Sequence, residues 1–599
     1  MTQSAPETES TQHQERIEAL PFVENRATAE SAQTLRDELL YLRATLTCLW
    51  ALPLINTLGM QRGSEQTFGA AVQQLAGVEE AARRPDAGDH AERGRDEGTT
   101  RQGAAALRPR VPCTLRKQGQ LSFDPEHSSG DDVMNTEKLT TPIGDFEFVL
   151  DGYPTKETAQ KLFDVLDFQR ACQAYLDFMP AMSMYSLLDG QEKGWGCKEC
   201  SDLAVAADLL RSTPLVLTGN TESVYFACNV DLKRDGPTVV EIPPQVLGMA
   251  NDAYFRYIID FGMVGPDQGQ GGKYVLLPPD HEGEVPEGYF VARSRTYRVW
   301  VMARASQKIS GMGEQAIKWY GDNCAVYPLK DGPRKPNIMN CGSLSADTIH
   351  PNDFQYFVNL DKVIQYEPTE AFNTEQLGLL RALGIEKGKQ FDPDERMQKI
   401  LDTAARTGFA MARAIAYQSR EPEAMVYPDR NWEYVFVGGS HEFLRNGVRN
   451  LDARTLFHFT AICVTPAMVN KVVGAGSQYL AAYVDAHGDY LDGGQTYRLH
   501  LPPNIPINNF WSVTLYDPMM RSLLQNGMPK PSVNSFDEPE PNDDGSCDIF
   551  FGPRAPAGKE KNWVKTVPGK GWFTYIRLYG PLQAFFDQSW KPEDIVKLG

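Results

Sequence analysis

With 599 residues, 42% of them hydrophobic and 10% aromatic, the chain can bury two or three cores and reads as globular. A formal net charge of -19 argues against a large basic surface, and so against nucleic acid or an anionic membrane as partner. Ten cysteines are too thinly spread for a disulfide scaffold, and no stretch approaches the roughly 18 apolar residues of a membrane span.

The chain opens on "MTQSAPETESTQHQE", which lacks the basic n-region and apolar run of a signal peptide, so a cytoplasmic location is expected. From Ala32 to Pro53 it reads "AQTLRDELLYLRATLTCLWALP", and from Ala159 to Pro180 "AQKLFDVLDFQRACQAYLDFMP". At a constant offset of 127, nine of 29 ungapped positions are identical; average composition gives about two. Both copies carry leucines at helical spacing (Leu35, Leu39, Leu42, Leu46 and Leu49; Leu162, Leu166 and Leu176), and each helix is expected to stop near its proline. Residues 71–110 contain no Ile, Phe, Tyr, Trp, Met or Cys, a composition that cannot bury a core, and no lysine precedes Lys117. Two accounts follow. Residues 1–70 are a truncated relic of a related domain, joined by a disordered linker (71–133) to a protein whose natural start is Met134. Alternatively, they form a genuine N-terminal helix on a flexible linker, used to dimerise.

From Asp202 the pattern turns to strands. In "SVYFACNVDL", Val224, Phe226, Cys228 and Val230 share one side, with Tyr225, Ala227 and Asn229 on the other. "GPTVVEIPP", "GGKYVLLPP", "GYFVARS" and "TYRVWVMARA" continue it. Helical spacing returns over 370–425. There "DPDERMQKILDTAARTGFAMARAIAY" offers Asp392 as N-cap, Pro393 as first helical residue and Glu395 for a capping box, with Leu401, Ala405 and Phe409 on one face. After Tyr479 the strands resume in "TYRLHLPP", "NFWSVTLYDP", "SCDIFFGP" and "GWFTYIRLYGP". In the last, Phe573, Tyr575, Arg577 and Tyr579 share a face. The fold expected is mainly β with helical insertions: two antiparallel β-sandwich, jelly-roll-like domains (134–345 and 431–599) joined by a helical connector (346–430).

"TGNTESVYFACNVDLKRDGPTVVEIPP" (218–244) resembles the hallmark of the bacterial domain of unknown function 1254. "NFWSVTLYDPMMRSLLQN" and "NWVKTVPGKGWFTYIRLYGPLQAFFDQSWKPEDI" resemble domain of unknown function 1214. The resemblance runs from about Thr140 to Gly599 and implies two β-sandwich domains with helical additions, in a family whose members include exported proteins. Two positions depart from the family pattern: "LDFMP" stands where Trp-Gly or Trp-Ala precedes the proline, and Glu222 stands where aspartate is usual. The resemblance implies no reaction.

Candidate chemistry starts at "GNTESVY". Gly219 and Asn220 suit a positive-φ turn that places Thr221, Glu222 and Tyr225 at a strand start. Glu222 and Tyr225 are the candidate acid and base, and Asn220 and Thr221 ligand clamps; a purely structural turn is the competing reading. Arg298 and Arg577 lie in strands, where each grips an anionic ligand or pairs with a buried carboxylate. Tyr297, Tyr575 and Tyr579 near them suit a sugar or an organic acid. Lys273, after "GQGG", lacks the spacing of a phosphate loop. Trp511 and Tyr516 add aromatic surface, although most tryptophans of the last domain are expected in the core. Cys197 and Cys200 in "CKEC" lack the second pair of a zinc ribbon, and the histidines show no HExxH or HxH spacing, so no metal site is read. The cofactor stays unassigned and homo-oligomerisation open. These residues point to an enzyme of hydrolase or lyase class acting on a sugar derivative or organic acid between the β domains. The alternatives are a non-catalytic small-ligand-binding protein and a structural or assembly protein.

Overall fold

The structure, a computed structural model, describes residues 22–23, 26–68, 136–141 and 143–599. The proposed linker, and Met134 with it, lies outside the described residues. Overall 33% of the chain is helical and 27% strand, in several sheets of which none is closed. The chain divides into two compact units: one of residues 1–42, 139–146 and 154–599, the other of residues 43–138 and 147–153. The second unit holds the C-terminal part of helix α1 (Ala29–Phe68). The candidate site lies wholly in the first.

Helix α1 does not stop at Pro53 but runs on to Phe68. A proline removes one backbone donor and strains the preceding turn, but it need not end a helix. In the second copy the expectation holds. Helix α2 (Lys156–Asp177) ends at Phe178, and Pro180 sits in the first turn of α3 (Met179–Gly190), where a missing N–H costs nothing. The two copies share an intrahelical bond. Gln33 Nε2 donates to Asp37 Oδ1 at 2.7 Å, and Gln160 Nε2 donates to Asp164 Oδ1 at 2.8 Å. In α1 only the first part of the leucine stripe is used: Ala32, Leu35, Leu39 and Leu42 are buried, whereas Leu46 is half-buried and Leu49 exposed, and Arg36 Nη1 reaches the Gln418 carbonyl at 3.5 Å.

The first β region holds a six-stranded and a four-stranded sheet that share one core. Strand β1 (Val224–Asp231) pairs antiparallel with β3 (Arg298–Ala305), Val299 opposite Val230 and Val301 opposite Cys228. Strand β2 (Tyr257–Gly262) lies at the sheet's edge. The β3 alternation explains the burial. Val299, Val301, Ala303 and Ala305 enter the core against Val240, Tyr274 and Leu276 of the four-stranded sheet, so Arg298, Trp300, Met302 and Arg304 face the other way. The second β region repeats the plan with five- and four-stranded sheets. Its strands β4 (Ile507–Tyr516) and β5 (Phe573–Pro581) pair antiparallel, Ser512 opposite Arg577, and Ile576 and Leu578 point into the core. That leaves Tyr575, Arg577 and Tyr579 on the opposite face. The sheets are mixed rather than purely antiparallel. Edge strands Phe290–Arg293, Asn337–Asn340 and Trp563–Lys565 each pair parallel to a neighbour, because each returns by a crossover instead of a hairpin.

Between the β regions lie three helices, Gln355–Tyr366, Thr374–Ala382 and α4 (Glu395–Tyr417). Asp394, not Asp392, caps α4, accepting from Met397 N at 2.8 Å; two aspartates flank Pro393, and the helix takes the one next to its first turn. Leu401, Ala405 and Phe409 are buried as read. Helix α4 packs closely on α2. A Cβ at Gly408 would lie 2.6 Å from Tyr175 Cδ1, so only glycine permits the approach.

Candidate functional site: a cavity between two sheet faces

The outward face of β1 and β3 and the outward face of β5 belong to opposite halves of the chain, and the loop 218–223 connects them. Its left-handed residue is Thr218 (φ +38°), not Gly219 or Asn220. The Thr218 carbonyl accepts from Arg577 Nη2 at 2.7 Å. The Gly219 carbonyl accepts from the Tyr516 hydroxyl at 2.9 Å, and that hydroxyl in turn accepts from Arg577 Nη1. Asn220 folds the loop locally, its Oδ1 accepting from Glu222 N at 2.9 Å and Ser223 N at 3.1 Å, while its amide donates to the Tyr579 hydroxyl. Thr221 bonds Glu222 Oε1 and lies 2.9 Å from Ser532 Oγ. Burial raises the Glu222 carboxyl above its ordinary range, with Arg577 and the Thr221 hydroxyl pulling it back. A second seam lies nearby: Asn251 donates to the Val464 carbonyl at 2.7 Å and accepts from Val464 N at 2.9 Å.

Beside this loop is a cavity of about 200 Å³. Trp300, Met302, Met249, Leu217, Phe457 and Ile462 give it a largely apolar wall, and Tyr225, Arg304, Tyr479, Arg577, Asp260 and Thr465 supply the polar groups. Arg304 Nη1 donates to the Tyr225 hydroxyl at 3.2 Å, and its guanidinium lies 5.1 Å from the centre of the Tyr579 ring. Burial works against the Arg304 charge, but the phenols of Tyr225, Tyr579 and Tyr479 outweigh it and hold the guanidinium protonated. Among the described residues no carboxylate reaches ion-pair distance of it. Asp260, on β2, accepts from Thr465 Oγ1 at 2.6 Å; burial raises its carboxyl to about 6 against the pull of that hydroxyl. Cys463 lines the same wall with a left-handed backbone (φ +78°), and burial pushes its thiol up to about 12, far from a ready thiolate.

The structure thus brings Asn220, Tyr225 and Arg577 to one cavity, with the Tyr579 ring under Arg304. Thr221, Glu222 and Tyr516 serve the loop seat and do not line it. Arg298 stands in a separate groove with Tyr366 and Glu367, its Nε 3.4 Å from Asp231. Lys273 pairs with Glu241 at 2.9 Å on another sheet, and Trp511 is buried in the second core. Cys197 and Cys200 are buried, each thiol raised to about 12 by desolvation first. Among the described residues no His, Cys, Asp and Glu group could hold a metal ion, and no helix is long and apolar enough to cross a membrane. Sequence reasoning missed Arg304 and Asp260. The first was visible in "TYRVWVMARA", where it shares the face of Arg298 six residues on. The second was an ordinary aspartate in a strand.

Residues 201–328 match the family described as protein of unknown function DUF1254, and residues 476–583 match protein of unknown function DUF1214. The chain carries both domains, in the N- to C-terminal order that its sequence resembled. Among solved structures it is similar to a Vibrio parahaemolyticus protein, with 17% identity over 72% of this chain and 100% of that one and a TM-score of 0.44. It is also similar to an uncharacterized protein from Burkholderia cenocepacia, with 12% identity over 72% of this chain and 95% of that one and a TM-score of 0.32. No curated protein matches the chain.

Proposed function

We propose that the chain binds a small organic acid with an apolar body in the cavity between its two β regions. The observation that carries this is Arg304, a half-buried guanidinium on the wall of a largely apolar cavity with no carboxylate partner among the described residues. A buried charge without a counter-ion is costly, and an entering carboxylate relieves it. Tyr225 and Tyr479 border the same spot and offer hydroxyls to the anion. The wall supports an aliphatic or aromatic body better than a sugar, whose hydroxyls would lack partners along Trp300, Met302 and Phe457. Binding is favoured over hydrolase or lyase chemistry because Glu222 is spent in the loop seat, which leaves Tyr225 without its proposed carboxylate partner.

Thermal denaturation of the full chain against short carboxylic acids, the matching alcohols and sugars tests this. A ligand at 100 times its dissociation constant adds about 2.7 kcal/mol to stability. Acids, but not alcohols or sugars, are expected to raise the midpoint, and Arg304→Gln to abolish the rise. An acid-induced rise that persists in Arg304→Gln sinks the reading, as does a rise from sugars alone.

A further inference from the structure

The cavity carries a second charge that the described residues leave unpaired. Asp260 is buried, and no Lys, Arg or His comes within ion-pair distance of it. Its Oδ1 is taken by the Thr465 hydroxyl at 2.6 Å, while no protein donor bonds its Oδ2 and the residue lines the cavity. Arg304 lines the same cavity. On the strand between them, Leu247–Asp252, Met249 stands opposite Asp260 and Leu247 opposite Arg304, so the two side chains share one sheet face two strands apart, about 10 Å. The two groups therefore stand apart, too far to neutralise each other and open to one ligand. A simple acid would satisfy only the guanidinium; the carboxylate calls for a cation.

Resting on the acid-binding reading above, we propose that the ligand is zwitterionic: a small amino acid with an apolar side chain, its carboxylate on Arg304 and its ammonium on Asp260. The side chain then lies along Trp300, Met302 and Phe457. A cavity of about 200 Å³ suits a body of leucine or phenylalanine size rather than a peptide.

Titration calorimetry on the full chain with four probes tests this: phenylalanine, 3-phenylpropionate without the amine, phenyllactate with a hydroxyl in its place, and phenethylamine without the carboxylate. Leucine and 4-methylpentanoate repeat the comparison for a smaller body. The amino acid is expected to bind at least about tenfold more tightly than the amine-free acid. Asp260→Asn is expected to erase that preference, phenylalanine then binding no more tightly than 3-phenylpropionate. Equal binding of phenylalanine and 3-phenylpropionate overturns the zwitterion and leaves acid binding standing; a preference that survives Asp260→Asn overturns Asp260 as the partner of the ammonium. Phenyllactate matching phenylalanine gives Asp260 a hydroxyl partner and overturns the ammonium. Phenethylamine binding while no acid does overturns both readings, as does the absence of binding by all six compounds.

Discussion

Arg577 Nη2 donates to the Thr218 carbonyl at 2.7 Å, so a strand of the C-terminal half holds a loop of the N-terminal half through one side chain. The same guanidinium reaches the Tyr516 hydroxyl, which itself bonds the Gly219 carbonyl. Hydrogen bonds from a charged group are worth about 1.5–3 kcal/mol each, and their loss strands buried acceptors. Arg577→Met is expected to cost about 3 kcal/mol in urea unfolding, and Arg577→Lys to recover only part, because an ammonium cannot span both acceptors. An unchanged midpoint in Arg577→Met would show the loop seated by other contacts.

Asn220 should be separable into two roles. Its Oδ1 holds the loop's own amides, and its amide reaches Tyr579 across the seam. Tyr579→Phe removes only the second role, whereas Asn220→Ala loses both. We expect Asn220→Ala to destabilise by about 1–3 kcal/mol. A double-mutant cycle of Asn220→Ala with Tyr579→Phe should show coupling; additivity within about 0.5 kcal/mol would mean that the cross-seam bond contributes nothing.

Gly408 marks where α4 meets α2. The added methyl of Gly408→Ala must displace the Tyr175 ring, which stacks on Tyr356 at 4.1 Å between centroids. Overpacking of this kind costs about 1–3 kcal/mol, more than the helix propensity of alanine returns. A variant as stable as the parent, or more stable, would show that the helices can separate freely.

Glu433 sets a pH dependence. Burial alone raises its carboxyl from 4.5 to about 8. Between those values the folded chain keeps a proton that the unfolded chain has lost, so stability falls as pH rises through the window and levels off above it. Glu433→Gln, which cannot ionise, is expected to lack that slope and to gain on the parent from pH 5 to pH 8.5. Urea midpoints at both values check it; parallel behaviour of the two chains refutes the assignment.

The first helical copy gives a local prediction. Leu35 and Leu39 are each about 1% exposed. Leu39→Ala is expected to speed amide exchange over residues 29–42, by the roughly 2–5 kcal/mol that a buried leucine costs on truncation, without changing the β regions. Unaltered exchange there would mean that the segment is held without its leucine stripe.

Much of this protein follows from short-range pattern. Period-two alternation assigned Val224, Phe226, Cys228 and Val230 to a core, and four-residue steps did the same for Leu401, Ala405 and Phe409, because a side chain's direction is set by its own backbone. The doubled stretch and the two unknown-function domains were also visible, since both are written in contiguous residues. Local rules failed where two answers were locally equivalent. Asp392 and Asp394 both suit a cap, and a proline both ends a helix and survives within one. What the sequence could not assign was partnership. Arg298 and Arg304 share one face of one strand, yet the first meets Asp231 and the second meets only phenols and a cavity. Burial and charge at a site depend on groups that arrive from distant parts of the chain. Tertiary packing alone set Tyr579 under Arg304, and Thr465 on Asp260.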